Sequence, residues 1–203
     1  MAILNEKTKE IILKAIIVGC RGSGKTTNMQ SLFKQTSQEM NSRLFDLHDL
    51  PKETTQYEFL PFAAGTFKEH NIKVNLYTCP THSIWPTANE ILFRGVDVIL
   101  FVIDSRAQAL LENESTLQKC RDTFESMGLN WDQTPKVFQL NHRDAVDALP
   151  LSALKAEFGA GACTEAVAVQ DIGTLESMEL MCDFALARMG QLSNNTASNS
   201  SVQ

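Results

Sequence analysis

An eight-residue stretch near the amino terminus, Gly19-Cys20-Arg21-Gly22-Ser23-Gly24-Lys25-Thr26, constrains this chain more than any other. It satisfies G-x-x-x-x-G-K-[ST] at every fixed position and follows an apolar run, Ile16-Ile17-Val18, that reads as a buried strand. The glycines allow a tight turn in which successive N–H groups face phosphate oxygens. The helix that opens behind the turn presents a partial positive charge to the same anion. Lys25 is expected to reach the β- and γ-phosphates and the Thr26 hydroxyl to bind Mg2+, with Gly19, Arg21, Gly22, Ser23, Gly24 and Thr27 completing the phosphate cradle. The loop by itself does not choose between ATP and GTP.

A second run, Lys136-Val137-Phe138-Gln139-Leu140, reads as a strand and delivers Asn141-His142-Arg143-Asp144 at its carboxyl end. The pattern is N-x-x-D, where guanine-nucleotide proteins usually carry N-K-x-D. Asp144 is placed to accept from the guanine N1–H and 2-amino group and Asn141 to anchor the base, while His142 replaces the lysine with a ring that can stack on a purine. A competing reading starts from Val96-Asp97-Val98-Ile99-Leu100-Phe101-Val102-Ile103-Asp104, an apolar run that closes on a carboxylate. Asp104 could be the Mg2+-supporting acid of an ATP-type P-loop enzyme. In the guanine reading the same run is a central strand, and Asp104-Ser105 begins the next helix.

Apolar runs alternate with amphipathic ones along the chain, the signature of a mostly parallel sheet covered by helices. The pattern predicts an α/β domain over residues 1–190 with strands at about 11–18, 57–66, 71–78, 96–103, 136–141 and 164–169. Helices are expected at about 25–38, 86–94, 107–127 and 174–189. The second and third strands are too close for a crossover helix and should form an antiparallel hairpin. Residues 191–203 are polar and of low complexity, and are expected to be disordered. With 203 residues, 43% of them apolar, one domain has ample core.

The net charge of −6 and the absence of a Lys/Arg cluster argue against nucleic acid or an anionic membrane as the main partner. Five widely spaced cysteines, without zinc-type spacing, fit a reduced, cytoplasmic protein. The amino terminus has no apolar signal core, and no apolar run approaches the roughly 20 residues of a membrane span.

With these pieces in place the chain resembles the Ras-like small GTPases, and within them the bacterial MglA type that controls cell polarity and surface motility. The resemblance lies in Gly24-Lys25-Thr26-Thr27-Asn28-Met29-Gln30, Phe59-Leu60-Pro61, Leu76-Tyr77-Thr78-Cys79-Pro80, Gly95-Val96-Asp97 and Asn141-His142-Arg143-Asp144, and covers about residues 5–190. It implies a P-loop fold, a six-stranded, mostly parallel sheet with one antiparallel strand and helices on both faces. It also implies GTP or GDP with Mg2+, an MglB-like regulator or another effector protein, and recruitment to a cell pole. Thr78 stands where most Ras-like proteins have a metal-shell Asp and the MglA type has Thr. Val167 and Ala168 fall in the last base-contacting loop. Thr54, or Thr55 beside it, is the switch-I threonine for Mg2+ and the γ-phosphate.

Three departures bear on hydrolysis. The family's glycine and glutamine after Pro80 are Thr81 and His82 here, and a β-branched residue tolerates φ > 0 poorly. Translational GTPases resemble this chain in carrying a histidine at the water-positioning place, so His82 keeps a catalytic role open. Glu53 takes the place of an arginine that stabilises phosphoryl-transfer charge, and a carboxylate there repels it. The expectation is a slow GTPase, with a nucleotide-holding pseudo-GTPase and an ATP-type enzyme as the alternatives.

Overall fold

The computed structural model describes residues 2–36, 45–46, 58–79, 86–159 and 161–199. Among these, eight strands form one sheet: β1 (Ile3–Asn5), β2 (Glu10–Gly19), β3 (Phe45–Asp46), β4 (Glu58–Phe67), β5 (His70–Thr78), β6 (Val98–Asp104), β7 (Lys136–Asn141) and β8 (Cys163–Glu165). The order is β3-β4-β5-β2-β6-β7-β8, with β1 beside the start of β2. Pairing is parallel from β5 through β8 and antiparallel for β4 on β5, as the six-stranded Ras-like expectation requires. The short β1 and β3 are additions, each antiparallel to its neighbour. Five helices cover the sheet: α1 (Lys25–Thr36), α2 (Pro86–Phe93), α3 (Leu110–Ser126), α4 (Leu151–Phe158) and α5 (Thr174–Asn199).

The residue pattern explains the layering. All seven residues of β6 are buried, because a central parallel strand is covered on both faces. Its alternate side chains feed separate cores. Val98, Leu100 and Val102 join Ile11, Leu13 and Ile17 of β2 against α1 and α5, whereas Ile99, Phe101 and Ile103 meet Phe124 and Leu154 of α3 and α4.

Four local differences from the sequence reading have physical causes. The β4–β5 hairpin turns on two residues, Lys68 and Glu69, both at positive φ (44° and 65°), the geometry usually given to Asn-Gly. β8 stops at Glu165 rather than near 169, because the apolar residues that follow bond in a local loop: Val167 and Ile172 exchange backbone bonds, and Ala168 leads into a 3-10 turn. Asp104 does not open a helix directly. Arg106 is extended, and a 3-10 turn at Ala107–Ala109 precedes α3. α5 runs ten residues past the expected 189, its backbone entering the polar segment read as a disordered tail, since an established helix gains a hydrogen bond for each residue added.

The carboxyl ends of β2, β6 and β7 converge on one edge of the sheet. β2 sits where the connection order reverses, with β5 on one side and β6 on the other, and the crevice beyond such a switch point is where open α/β sheets bind ligands.

Candidate functional site

The Gly19–Thr26 loop leaves β2 at this edge and enters α1 at Lys25. Its glycines are demanded by close approach. A Cβ on Gly19 would lie 2.4 Å from Val102 O, and one on Gly24, at φ +99°, would lie 2.2 Å from Asn141 Nδ2. Ser23 is fully buried and its N–H donates to Cys20 O, closing the turn. Arg21, Gly22 and Thr26 face solvent at the mouth of the crevice. The Lys25 ammonium donates to Gly19 O (2.9 Å) and Cys20 O (2.8 Å), folded back over its own loop. Burial holds its pKa below the ordinary lysine value, with neighbouring acids opposing. A desolvated cation lying against carbonyl oxygens, beside the amino end of α1, is suited to receive a phosphate: an anion there would restore the charge balance that burial removed.

Asn141 ends β7 and is almost wholly buried. Its Nδ2 donates to Ser23 O at 2.8 Å, and its Oδ1 accepts the Ala168 N–H at 3.0 Å. One amide therefore locks the phosphate loop to the loop after β8. The sequence reading gave Asn141 and the backbone at Ala168 separate contacts to a base; here they bond to each other. His142 adopts positive φ (60°), and its Nε2–H donates to Gly22 O at 3.0 Å, so the ring braces the phosphate loop as well. Asp144, in the same turn, is exposed. Arg143 fixes the turn from behind through Glu165 Oε2 (3.0 Å) and Leu149 O (2.7 Å).

Asp104 is 2% exposed and ion-paired to Arg106, with Nε to Oδ1 at 2.9 Å and Nη2 to Oδ2 at 2.5 Å. The carboxylate is thereby committed to a guanidinium that reaches to within 3.9 Å of the Cβ position of Gly22. Asn113 of α3 underpins the corner. Its Oδ1 accepts from Asp104 N (3.1 Å) and Cys20 Sγ (3.2 Å), and its Nδ2 donates to Asp104 O (2.9 Å). Asn28 donates to Gly24 O (3.0 Å) and accepts from Gln139 Nε2 (2.9 Å), tying α1 to β7. These supporting residues carry no local motif; only the apolar setting of a lone Asn or Gln on a core face could have flagged them.

Thr78 ends β5, is buried, and accepts the Glu58 N–H through Oγ1 at 3.0 Å, joining the ends of the hairpin. Glu53, Thr54, Thr55, Pro80, Thr81 and His82 lie outside the described residues. Among the described residues no cluster of three or more His, Cys, Asp or Glu forms a metal site, and no helix is long and apolar enough to cross a membrane. All five cysteines are free thiols.

The chain is 26% identical over 191 residues to the mutual gliding-motility protein MglA of Myxococcus xanthus, covering 93% of this chain and 98% of that one. The likeness spans nearly all of both chains. No protein-family model matches the chain. Likeness to MglA over this span agrees with the Ras-like P-loop architecture of the sheet, and it includes both the phosphate loop and Asn141-His142-Arg143-Asp144.

Proposed function

We propose that the protein is a guanine-nucleotide-binding, small-GTPase-like regulator of the MglA type, acting in motility or cell polarity through protein partners. The observation that supports the reading is the Asn141 amide, which joins the phosphate loop to the loop after β8, with Asp144 three residues further along the chain. In this reading the loop from Gly19 to Thr27 holds the phosphates and Lys25 leaves its carbonyl partners to meet them. Asp144 selects guanine, with Val167 and Ala168 as the wall of the base pocket. His142 and Asn141 act by holding loops in register. Thr26, with Thr54, holds Mg2+, which when bound neutralises charge between the β- and γ-phosphates.

Turnover is slow in this account. His82 orients the attacking water, but Thr81 lacks the torsional freedom of the glycine it replaces, and Glu53 adds repulsion where the family has an arginine. The same replacements favour a second reading, a protein that holds nucleotide without hydrolysing it and works as an interaction module. The pairing of Asp104 with Arg106 weighs against the ATP-type reading, because the carboxylate offered for Mg2+ is already occupied.

Chromatography of the nucleotide released on denaturing the purified protein tests the assignment. Guanine nucleotide is expected; adenine nucleotide would overturn it. Single-turnover phosphate release should run below the roughly 10⁻⁴ s⁻¹ of an unassisted Ras protein. A rate near one per second without a partner would contradict the account of Thr81, His82 and Glu53.

A further inference from the structure

At the amino ends of the parallel strands, the opposite end of the sheet from the phosphate loop, a half-open cavity of about 640 Å3 lies between β1, the last turn of α3 and the middle of α5. Its volume falls within the roughly 300–1,000 Å3 typical of small-ligand sites. The walls are apolar: Phe93, Val96, Phe124, Leu129, Ala185 and Met189. The polar groups on the lining differ in one respect. Asp97 is tied to the Lys14 N–H (2.9 Å), Thr134 donates to Asn130 O (2.9 Å), and Asn130 accepts from the Gln133 N–H (3.1 Å). Arg188 has no ion pair among the described residues.

Its surroundings reinforce the charge. Lys136 lies over the Trp131 ring at 5.0 Å, close enough to Arg188 and Arg121 for both to act on it. Burial pushes the Lys136 pKa down; Asp132 opposes this, and the two guanidiniums add to it. A chain of net charge −6 thus gathers three cations at one end, beside an apolar hollow. An unpaired guanidinium on an apolar wall is suited to a carboxylate, which it can hold through two parallel hydrogen bonds.

We propose that this cavity binds a medium-chain fatty carboxylate, with the acyl chain between Phe93, Phe124, Leu129 and Met189 and the carboxylate on Arg188. Val96 and Asp97 line the cavity just before β6, while Val102 backs the phosphate loop near the strand's end. The two sites are therefore roughly 20 Å apart along the strand. The inference does not depend on which nucleotide the loop takes.

Calorimetric titration of the full-length protein with decanoate below its micellar concentration tests this. Saturable one-to-one binding is expected, strengthening about threefold to fourfold per methylene from hexanoate to decanoate. Arg188→Ala should weaken decanoate at least tenfold while leaving the neutral alcohol decanol within twofold. Ala185→Phe, which fills the hollow, should abolish binding of both. Thermal melting of each variant identifies any that fails to fold, and Leu129→Phe then serves as the second filling variant. Absence of saturable decanoate binding to the wild type overturns the proposal. So does equal affinity of folded Arg188→Ala, or binding only to vesicles or to another protein.

Discussion

The side-chain amide of Asn141 donates to the carbonyl oxygen of Ser23 at 2.8 Å, so a residue at the end of β7 holds the middle of a loop 118 positions earlier. Its other end accepts from Ala168 N at 3.0 Å. Asn141→Ala would strand both backbone groups in a buried setting, at about 1–3 kcal/mol each. For a chain of this size the melting temperature without nucleotide should fall by on the order of 10 °C. Urea unfolding followed by circular dichroism checks this. A variant as stable as the parent would mean the amide does not join the loops.

Gly24→Ala should act on the same contact from the other side. The added Cβ would lie 2.2 Å from Asn141 Nδ2 at a backbone φ of +99°, so the loop must open to admit it. Folding should survive at reduced stability, while GDP affinity measured by calorimetry falls at least tenfold. Gly128→Ala, where a Cβ meets nothing within 4 Å, is the comparison at similar positive φ and should leave GDP affinity unchanged.

The hairpin turn offers a gain. Lys68 and Glu69 both adopt left-handed backbone geometry, which costs an ordinary residue roughly 1–2 kcal/mol. Replacing the pair by Asn-Gly relieves this but adds freedom to the unfolded chain, leaving a net gain of about 1 kcal/mol. The urea midpoint should rise without a change in slope.

Alkaline pH should unfold the protein through its buried thiols. Burial pushes Cys20 up to about 11 and Cys79 and Cys182 up to about 12, and it raises Cys120 as well, from a common starting value of 9.0. Between those values the folded state holds more protons than the unfolded one, so stability falls as pH rises from about 9 to about 12 and is fully retained below. Lys14, Lys25 and Lys136, all lowered by burial, oppose this only up to about their ordinary 10.5. Urea midpoints at pH 8, 10.5 and 11.5 should drop most steeply over the last interval, and Cys79→Ala should flatten that drop.

The sequence carried the phosphate loop in full, because its chemistry is contiguous: glycine spacing, Lys25 and Thr26 need no distant partner to be read. The five long strands, β2, β4, β5, β6 and β7, were legible from apolar runs of the right length, and β6 most plainly, since a doubly covered strand is apolar throughout. Asn141 stood out in the sequence, but its contacts did not, since Ser23 and Ala168 come to it only through the sheet. Asp104 with Arg106, and Asn113 beneath them, were hidden for the same reason: nothing in Asp-Ser-Arg marks a carboxylate as already paired. The overlong reading of β8 came from Ala166-Val167-Ala168, apolar like a strand, of which Val167 bonds instead to Ile172 and Ala168 to Asn141.

The central claim is that the loop at Gly19–Thr26 and Asp144 together hold a guanine nucleotide. Thermal melting in Mg2+ with GDP, GTP or ATP measures it directly, since a ligand bound only by the folded state raises the melting temperature by mass action. GDP and GTP at about a hundred times their Kd should stabilise by about 2.7 kcal/mol, a rise of several degrees. ATP at the same concentration should give much less, Lys25→Ala should remove the shift, and Asp144→Ala should erase the difference between guanine and adenine. No shift with millimolar GTP, or an equal shift with ATP, would contradict the account.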